Sequence, residues 1–273
     1  MYKSEETLLP EAEYRFLLDA LKAFATIVLF ECHRAASEKR DLIIRNFIAR
    51  ATVTLESILR LWDARAFGDC WALFRTLVDR HFHLHMITIN DEFDAFEEWS
   101  FVRLFEMNNN IASDTTLTTE QKEGQPKPTL EQKARYKELK ARGFLWREPK
   151  PEEAAKSFGL PILYKFGYDY ASRFLHPLAT DGLFEFEYLT QLGDKGDRGD
   201  QRLILHNAAL SLTILLNEAL LATSVEWRGL MYDCIEGFRK ALTGEGLEYK
   251  VCLARIAAEG PEFEWCRPKA PRV

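Results

Sequence analysis

The segment from Gln201 to about Thr223 constrains the fold most, because it is apolar nearly all the way round. A helix without a polar face has to be enclosed by other helices, so we expect this one at the centre of the molecule. Apolar residues recur at helical spacing over most of the remaining chain, for instance from Lys39 to Ala64. No segment predicts a convincing sheet. The sequence therefore predicts an all-α fold, an irregular helical bundle around a long apolar central helix.

The segment from Ser113 to Pro128 interrupts these helices and has almost no large apolar residue. Such a composition buries too little apolar surface to fix one conformation, so a mobile loop is predicted near 113–128. With the charged helix that follows, it forms a flexible charged insertion over about 113–150. Residues 182–200 are predicted to be irregular, with a strand-like edge or a packed loop from Phe184 to Tyr188. The 273 residues are otherwise expected to form a single helical domain.

Charge and cysteine usage exclude several classes of protein. The formal net charge of -6 argues against a general polyanion-binding protein, although a local basic patch can exist within it. Five scattered cysteines contain no Cys-x-x-Cys pair, which excludes a disulfide framework and a zinc knuckle. The acidic N-terminus does not match a signal peptide, and the longest apolar run, Ala23 to Phe30, is too short to span a membrane. We expect a soluble cytoplasmic protein without membrane association.

The third predicted helix, from Asp69 to about Ile89, carries several polar side chains on two faces. Arg75 and Asp79 lie one turn apart and are expected to pair on its surface. His81 and His85 fall on its apolar face, where neutral, hydrogen-bonded core histidines are the favoured interpretation. The alternative is a metal chelated by both imidazoles and Glu31 of the first helix. The repeated Glu-x-x-His pairs of a di-iron bundle are absent, and no metal or cofactor is predicted.

A second polar group recurs one turn apart at Tyr168, Ser172 and His176. At this spacing the Ser172 hydroxyl can meet the His176 imidazole, which is part of a nucleophilic device. No Gly-x-Ser-x-Gly elbow accompanies the pair. The favoured interpretation is a histidine at a helix C-terminus, followed by a stop at Pro177.

Two further patterns have both a structural and a functional interpretation. The basic stretch from Lys133 to Lys150 contains interleaved aromatic residues that can contact phosphate and base, but a solvated helix beside a loop is favoured. In the apolar helix His206, Thr213 and Asn217 share a stripe. Buried polar groups need partners, so this stripe either cross-links helices or lines a small polar cavity.

Two of these motifs together resemble a widespread bacterial all-helical family of unknown function. The run from Ala72 to Asp79 is similar to that family's l-x-R-x-l-x-[ED] helix, and Tyr168-x-x-x-Ser172-x-x-x-His176 resembles its second signature. Asp79 is a shorter carboxylate than the Glu usual at that position. The resemblance covers roughly residues 46–177, and it implies an all-helical fold and these site residues without implying a reaction.

The spacing of arginine and histidine in the third helix also resembles that in HEPN domains. In these helical bundles an arginine and a histidine four to six residues later form a composite ribonuclease site across a dimer. Arg80 and His85 match that spacing, as do Arg75 and His81. Arg80 and His85 project about 140° apart on a helix, which suits a shared cleft better than a direct pair. This resemblance implies RNA as substrate and a homodimer.

Two functions follow from these patterns. The first is a metal-independent ribonuclease of a toxin or phage-defence type, in which histidine acts as acid–base and arginine stabilises the phosphorane charge. Its candidate catalytic residues are Arg75, Asp79, Arg80, His85, Ser172 and His176. The second is a non-enzymatic helical module that binds a partner protein or a small ligand through a buried polar cluster.

Overall fold

The computed structural model describes residues 8–35, 38–118, 120, 127–143, 146–161, 163–176, 182–192, 201–223, 225, 227–259 and 262–263. They form ten α-helices of more than one turn: α1 (Glu11–Ala35), α2 (Lys39–Asp63), α3 (Phe67–Ile89), α4 (Phe93–Ser113), α5 (Leu130–Arg142), α6 (Pro151–Ser157), α7 (Leu183–Thr190), α8 (Arg202–Ala222), α9 (Arg228–Leu242) and α10 (Glu248–Glu259). A π-helix, Leu163–Asp169, follows α6 and continues into one α-helical turn, Tyr170–Ser172. These ranges contain no strand, which confirms the all-α fold class.

Contacts within the chain define two compact units, residues 1–85 with 150–273 and residues 86–149. The boundary falls within α3, directly after His85. The single-domain organisation and the flexible insertion over about 113–150 stay predictions. The loop predicted near 113–128 lies partly outside the described residues, and its first residue, Ser113, is the last of α4.

Helix α8 is the central helix of the first unit, as the sequence predicts. It contacts α1, α2 and α9, and its buried residues extend from Ile204 to Leu220. By length and composition α8 is the one helix in the described ranges that passes as a membrane span, yet 61% of its most apolar window is buried. Burial of this kind is typical of the core helix of a soluble protein, because apolar side chains are removed from water there.

The helices around α8 begin where the sequence supplies local signals. Helix α1 begins after Pro10, whose carbonyl accepts hydrogen bonds from the first turn. A capping box opens α2, in which the backbone N–H of Glu38 donates to Asp41 at 3.3 Å. At the other end of α2, Trp62 is 2% exposed and its indole N–H donates to Glu11 at 3.1 Å. This bond ties the end of α2 to the start of α1.

The π-helix replaces the start of the helix whose C-terminus the sequence predicts before Pro177. Its Gly167 is buried against α3, where an added Cβ would lie 3.0 Å from Cδ1 of Leu163 and 3.4 Å from Cγ2 of Val78. Gly167 therefore packs against Val78 at ordinary van der Waals distance, and the closest atom, Cδ1 of Leu163, belongs to the π-helix itself. The next residue, Tyr168, lies at the face of α3 that carries Arg75.

Helix α7 corrects the prediction for residues 182–200, where a strand-like edge or a packed loop was expected from Phe184 to Tyr188. The structure has an α-helix there, Leu183–Thr190, which begins after Gly182 in the left-handed conformation (φ 82°). Five residues of apolar alternation are too few to distinguish a strand from a short helix by period alone. Residues 193–200 lie outside the described ranges.

In the second unit, the acidic helix α4 pairs with the basic helix α5. Three ion pairs join them: Arg135 with Glu97 at 2.5 Å, Lys140 with Glu106 at 2.5 Å, and Arg142 with Glu98. Tyr136 stacks on Phe105 with 4.3 Å between ring centroids, and Trp146 is 2% exposed. Within the stretch that suggested a nucleic-acid surface, these basic and aromatic side chains are therefore used inside this unit, and Phe144 lies outside the described residues.

The hairpin of α9 and α10 contains a crossing at which two helix backbones touch. A Cβ on Gly237 of α9 would lie 2.6 Å from the backbone N and 2.9 Å from the Cα of Tyr249 in α10. Phe238 stacks on the Tyr249 ring beside this point, with 4.7 Å between centroids. Any side chain at position 237 would push the two helices apart.

We expect Gly237→Ala to lower the free energy of unfolding by about 2 kcal/mol, because the new methyl group overlaps backbone atoms that cannot rotate away. Gly229 in the same helix is the matched control, since a Cβ there meets nothing within 4 Å. Gly229→Ala should raise stability by up to about 1 kcal/mol through helix propensity. Urea denaturation followed by circular dichroism measures both. Equal stability of Gly237→Ala and the wild type would contradict a backbone contact at this crossing.

Candidate functional site

Arg75 is the centre of a polar cluster between α3 and the π-helix with the α-helical turn that continues it. Its Nε donates to Oγ of Ser172 at 3.4 Å, its Nη1 donates to Oδ2 of Asp79 at 3.2 Å, and its Nη2 donates to the hydroxyl of Tyr168. The guanidinium carbon also lies 4.3 Å from the centroid of the Tyr168 ring. The predicted pairing of Arg75 and Asp79 is confirmed. We call Arg75, Asp79, Tyr168 and Ser172 the Arg75 cluster.

Local helix geometry fixes each member of the cluster. Arg75 and Asp79 are one turn apart on α3, so their side chains lie on the same ridge. Ser172 lies one turn after Tyr168, and its Oγ donates to the Tyr168 carbonyl at 2.7 Å. Since the hydroxyl has a single proton, Ser172 accepts from Arg75 with a lone pair. The arginine is thus oriented by groups that are themselves hydrogen-bonded.

His176 does not join the cluster, although a contact with Ser172 was predicted from their spacing. The α-helical turn ends at Ser172, and residues 173–175 form turns instead. A spacing of four residues gives one helix face only while the helix continues. The His176 side chain is exposed and makes no hydrogen bond to the described residues.

His85 is a hydrogen-bonded core histidine, as the favoured interpretation predicts. It is 7% exposed, with Nδ1 3.1 Å from Oε2 of Glu218 and Nε2 3.0 Å from Oγ of Ser157. Its ring stacks on Phe158 with 3.5 Å between centroids. Neither partner is predicted by the sequence patterns above, although Glu218 is conspicuous as the only acidic residue in α8.

The order Ser157–His85–Glu218 matches the hydrogen-bond order of a serine hydrolase, but its surroundings do not support that chemistry. Ser157 ends α6, and its Oγ donates to the carbonyl of Ala154 at 2.8 Å. The next three backbone N–H groups all donate to carbonyls of α6, so none is available to an oxyanion. A helix C-terminus also disfavours negative charge. The three side chains therefore cross-link α3, α6 and α8.

His81 lies in the core but differs from the favoured interpretation in its hydrogen bonding. The side chain is 0% exposed, and neither ring nitrogen has a partner among the described residues. Its ring packs on Phe158 with 4.3 Å between centroids. Burial, assisted by the neighbouring His85, lowers the pKa of His81 to about 3, because a charged imidazolium would be cut off from water.

The metal alternative gains no support from the described residues. Glu31, the third ligand in that interpretation, pairs with Arg34 at 3.1 Å. The described ranges contain no group of three or more His, Cys, Asp or Glu side chains that could hold a metal ion.

Arg80 does not meet His85, with which its spacing resembles the HEPN pattern. Its side chain is partly buried, and its Nε is buried without a hydrogen-bond partner in the described part of the chain. Burial lowers the pKa of Arg80, and the positive charge of Arg50 adds to this effect. Asp79 acts in the opposite direction. Arg80 thus feels the charges of Arg50 and Asp79, while Asp79 itself pairs with Arg75.

A family model described as a family of unknown function, DUF5677, matches residues 41–191, which is more than half of the chain. The chain belongs to this family. The DUF5677 match contains the Arg75 cluster, Arg80, His85 and His176, and it ends before α8. It confirms the family resemblance drawn from the two signatures. No curated protein and no solved structure matches the chain, and the similarity to HEPN domains and the homodimer stay predictions.

The buried histidine predicts an acid-dependent stability. Below pH 6.5, the ordinary pKa of histidine, an unfolded His81 takes up a proton, whereas the folded one stays neutral until about pH 3. The unfolded state then binds more protons, so stability falls as the pH decreases through this window, by about 1.4 kcal/mol per pH unit.

We therefore expect the free energy of unfolding of His81→Leu to fall less steeply than that of the wild type as the pH is lowered from 6.5 to 4.5. Urea denaturation at several pH values measures the difference in slope. Parallel curves for His81→Leu and the wild type would mean that His81 is protonated in the folded state.

Proposed function

We propose that this DUF5677 protein is a ribonuclease that binds single-stranded RNA at the Arg75 cluster and cleaves it with His176 as the acid–base residue. The observation that carries the proposal is that Arg75 is held in one orientation by hydrogen bonds and still has N–H donors available to a ligand. Three of its five N–H donors are bonded within the protein, so two remain, and the side chain is 20% exposed. A pre-oriented guanidinium binds phosphate oxygens with little loss of conformational entropy.

The charge around Arg75 supports an anionic ligand. Neither Arg50 nor Arg80 has an ion pair with a carboxylate in the described ranges, and Asp79 is the acidic side chain that pairs with Arg75. Arg75, Arg80 and Arg50, which acts electrostatically on Arg80, carry more positive charge than Asp79 balances, in a chain whose net charge is -6. A positive field of this kind attracts phosphate groups and raises their local concentration.

The aromatic side chains beside the cluster support nucleic acid over a small anion. Phe166 and Tyr170 are 38% and 39% exposed, and the guanidinium of Arg173 lies 5.2 Å from the centroid of the Tyr170 ring. Exposed rings next to cationic side chains are what single-stranded nucleic-acid sites combine, because bases stack on the rings while the cations contact phosphates.

His176 supplies the acid–base chemistry in this proposal, since His85 is enclosed and bonded at both ring nitrogens. The imidazole of His176 removes the proton from a ribose 2′-hydroxyl. The 2′-oxygen then forms a bond to phosphorus, and the bond from phosphorus to the 5′-oxygen breaks. The leaving oxygen takes a proton from solvent. The products are a 2′,3′-cyclic phosphate and a 5′-hydroxyl, and Arg75 stabilises the charge on the phosphorane.

We expect purified protein to cleave single-stranded RNA in the presence of EDTA and to leave DNA of the same sequence intact, because DNA lacks the 2′-hydroxyl. His176→Ala should lower the rate by about 10²-fold or more. Its melting temperature should stay within about 1 °C of the wild type, because an exposed side chain that bonds to none of the described residues contributes little to stability. Gel electrophoresis and end-group analysis of the fragments measure cleavage.

His33→Ala is the matched control, since His33 is also exposed but lies on α1. It should retain the wild-type rate. Cleavage that occurs without EDTA but is lost in its presence would show that the reaction depends on a metal ion. Equal rates for His176→Ala and the wild type would exclude His176 as the acid–base residue.

The same cluster favours a second candidate, a non-enzymatic module that binds an anionic ligand. The observation in its favour is that Arg75 uses three of its five N–H donors inside the protein. An arginine that holds helices together and binds a ligand needs no further donors for chemistry. Under both functions RNA affinity should fall with salt, and Arg80→Gln should reduce the slope of log K against log salt by about 0.7. Fluorescence anisotropy at several salt concentrations measures this slope. Binding of RNA without cleavage would identify the module, and a slope unchanged in Arg80→Gln would remove Arg80 from the binding surface.

A further inference from the structure

The helix hairpin of α9 and α10 brings two cysteines together. Gly237 lies against Tyr249 at the crossing, and the two helices run antiparallel. Three residues back along α9 is Cys234, and three residues forward along α10 is Cys252. These positions therefore lie opposite each other, one turn from the point of backbone contact. The side chains of Cys234 and Cys252 are hydrogen-bonded to each other, and neither cysteine is in a disulfide.

We propose that Cys252 and Cys234 form an oxidative modification site, in which Cys252 reacts with a peroxide and Cys234 then closes a reversible disulfide. The backbone contact at Gly237 makes this bond feasible. Packed helices normally lie about 8–10 Å apart, whereas a disulfide needs Cα atoms within about 7 Å. A crossing without a side chain shortens the helix separation at the turn where the two cysteines face each other.

The described thiols differ in pKa and in exposure, and an oxidation site requires one that is both ionised and reachable. The hydrogen bond with Cys234 lowers the pKa of Cys252 to about 7, with help from the positive charge of Arg255, while burial and Asp233 oppose it. Cys252 is also partly exposed, so a small oxidant can reach it. Burial raises the pKa of Cys32 to about 11 and that of Cys70 to about 12. Near neutral pH the reactive thiolate is therefore concentrated at Cys252.

The reaction balances with one peroxide. The thiolate of Cys252 attacks an oxygen of hydrogen peroxide, so that an S–O bond forms, the O–O bond breaks, and hydroxide leaves and is protonated to water. Cys234 gives up its proton and attacks the sulfenic sulfur of Cys252. The S–S bond forms, the S–O bond breaks, and the departing hydroxide takes the proton as a second water. Two thiols are oxidised and one peroxide is reduced, and a small thiol reverses the disulfide by exchange.

The first experiment is alkylation of the native protein by iodoacetamide between pH 5.5 and 9, followed by peptide mass analysis. It uses Cys266→Ser, because position 266 lies outside the described residues. Cys252 should label first, with half of its maximal rate near pH 7. Cys32 and Cys70 act as controls within the same molecule and should stay unlabelled at neutral pH. Labelling of Cys252 no faster than that of Cys32 would overturn the proposal.

The second experiment treats the same protein with hydrogen peroxide under native conditions. The intact mass should decrease by two hydrogen atoms, and non-reducing peptide mapping should find Cys234 linked to Cys252. In Cys234→Ser the reaction should stop at a sulfenic acid that dimedone traps, and in Cys252→Ser neither product should form. The linked protein should melt roughly 5 °C higher until it is reduced. A disulfide between any other pair, or a sulfenic acid that forms in Cys252→Ser, would overturn the assignment.

Discussion

The burial of α8 determines how the first unit of this protein is arranged. An apolar helix of 21 residues cannot lie at a surface without exposing a large hydrophobic area, so α1, α2 and α9 pack against it. That packing makes its polar residues costly unless they are paired. Glu218 is paired with His85 of α3, and His206 lies 3.0 Å from the hydroxyl of Tyr14 in α1. His206 and Glu218 therefore each link the central helix to a neighbouring helix, whereas Thr213 donates to the Leu210 carbonyl of its own helix.

Two histidines one turn apart on α3 show that a buried imidazole is not always hydrogen-bonded. His85 has a hydrogen-bond partner at each ring nitrogen, whereas His81 has none among the described residues. Both lie against Phe158, so the difference comes from polar neighbours and not from depth. An imidazole without partners is tolerated only in its neutral form. The two residues thus make opposite contributions to the core, one as a cross-link and one as a source of acid sensitivity.

Periodicity predicted the features of this chain that depend on one helix. The enclosure of α8, the apolar face of α2 and the pairing of Arg75 with Asp79 all follow from spacing along a single element. The signatures also identified Tyr168 and Ser172, although not the π-helix that carries Tyr168 to Arg75. The contact from Ser172 to His176 was wrong because a helix end is not visible in a spacing. Glu218 and Ser157 were missed because they meet His85 only through tertiary packing.

Each candidate site lies beside a glycine, but only at Gly237 do two backbones touch. Helix α9 meets the backbone of α10 there, one turn from Cys234 and Cys252. Gly167 packs on the Val78 side chain at ordinary van der Waals distance, and Tyr168 meets Arg75 through the long arginine side chain. The separation of the two thiols is therefore governed by rigid backbones, which is the geometry that a preorganised site requires. A glycine gives no periodic signal of its own, so the thiol site becomes visible only when the partner helix is known.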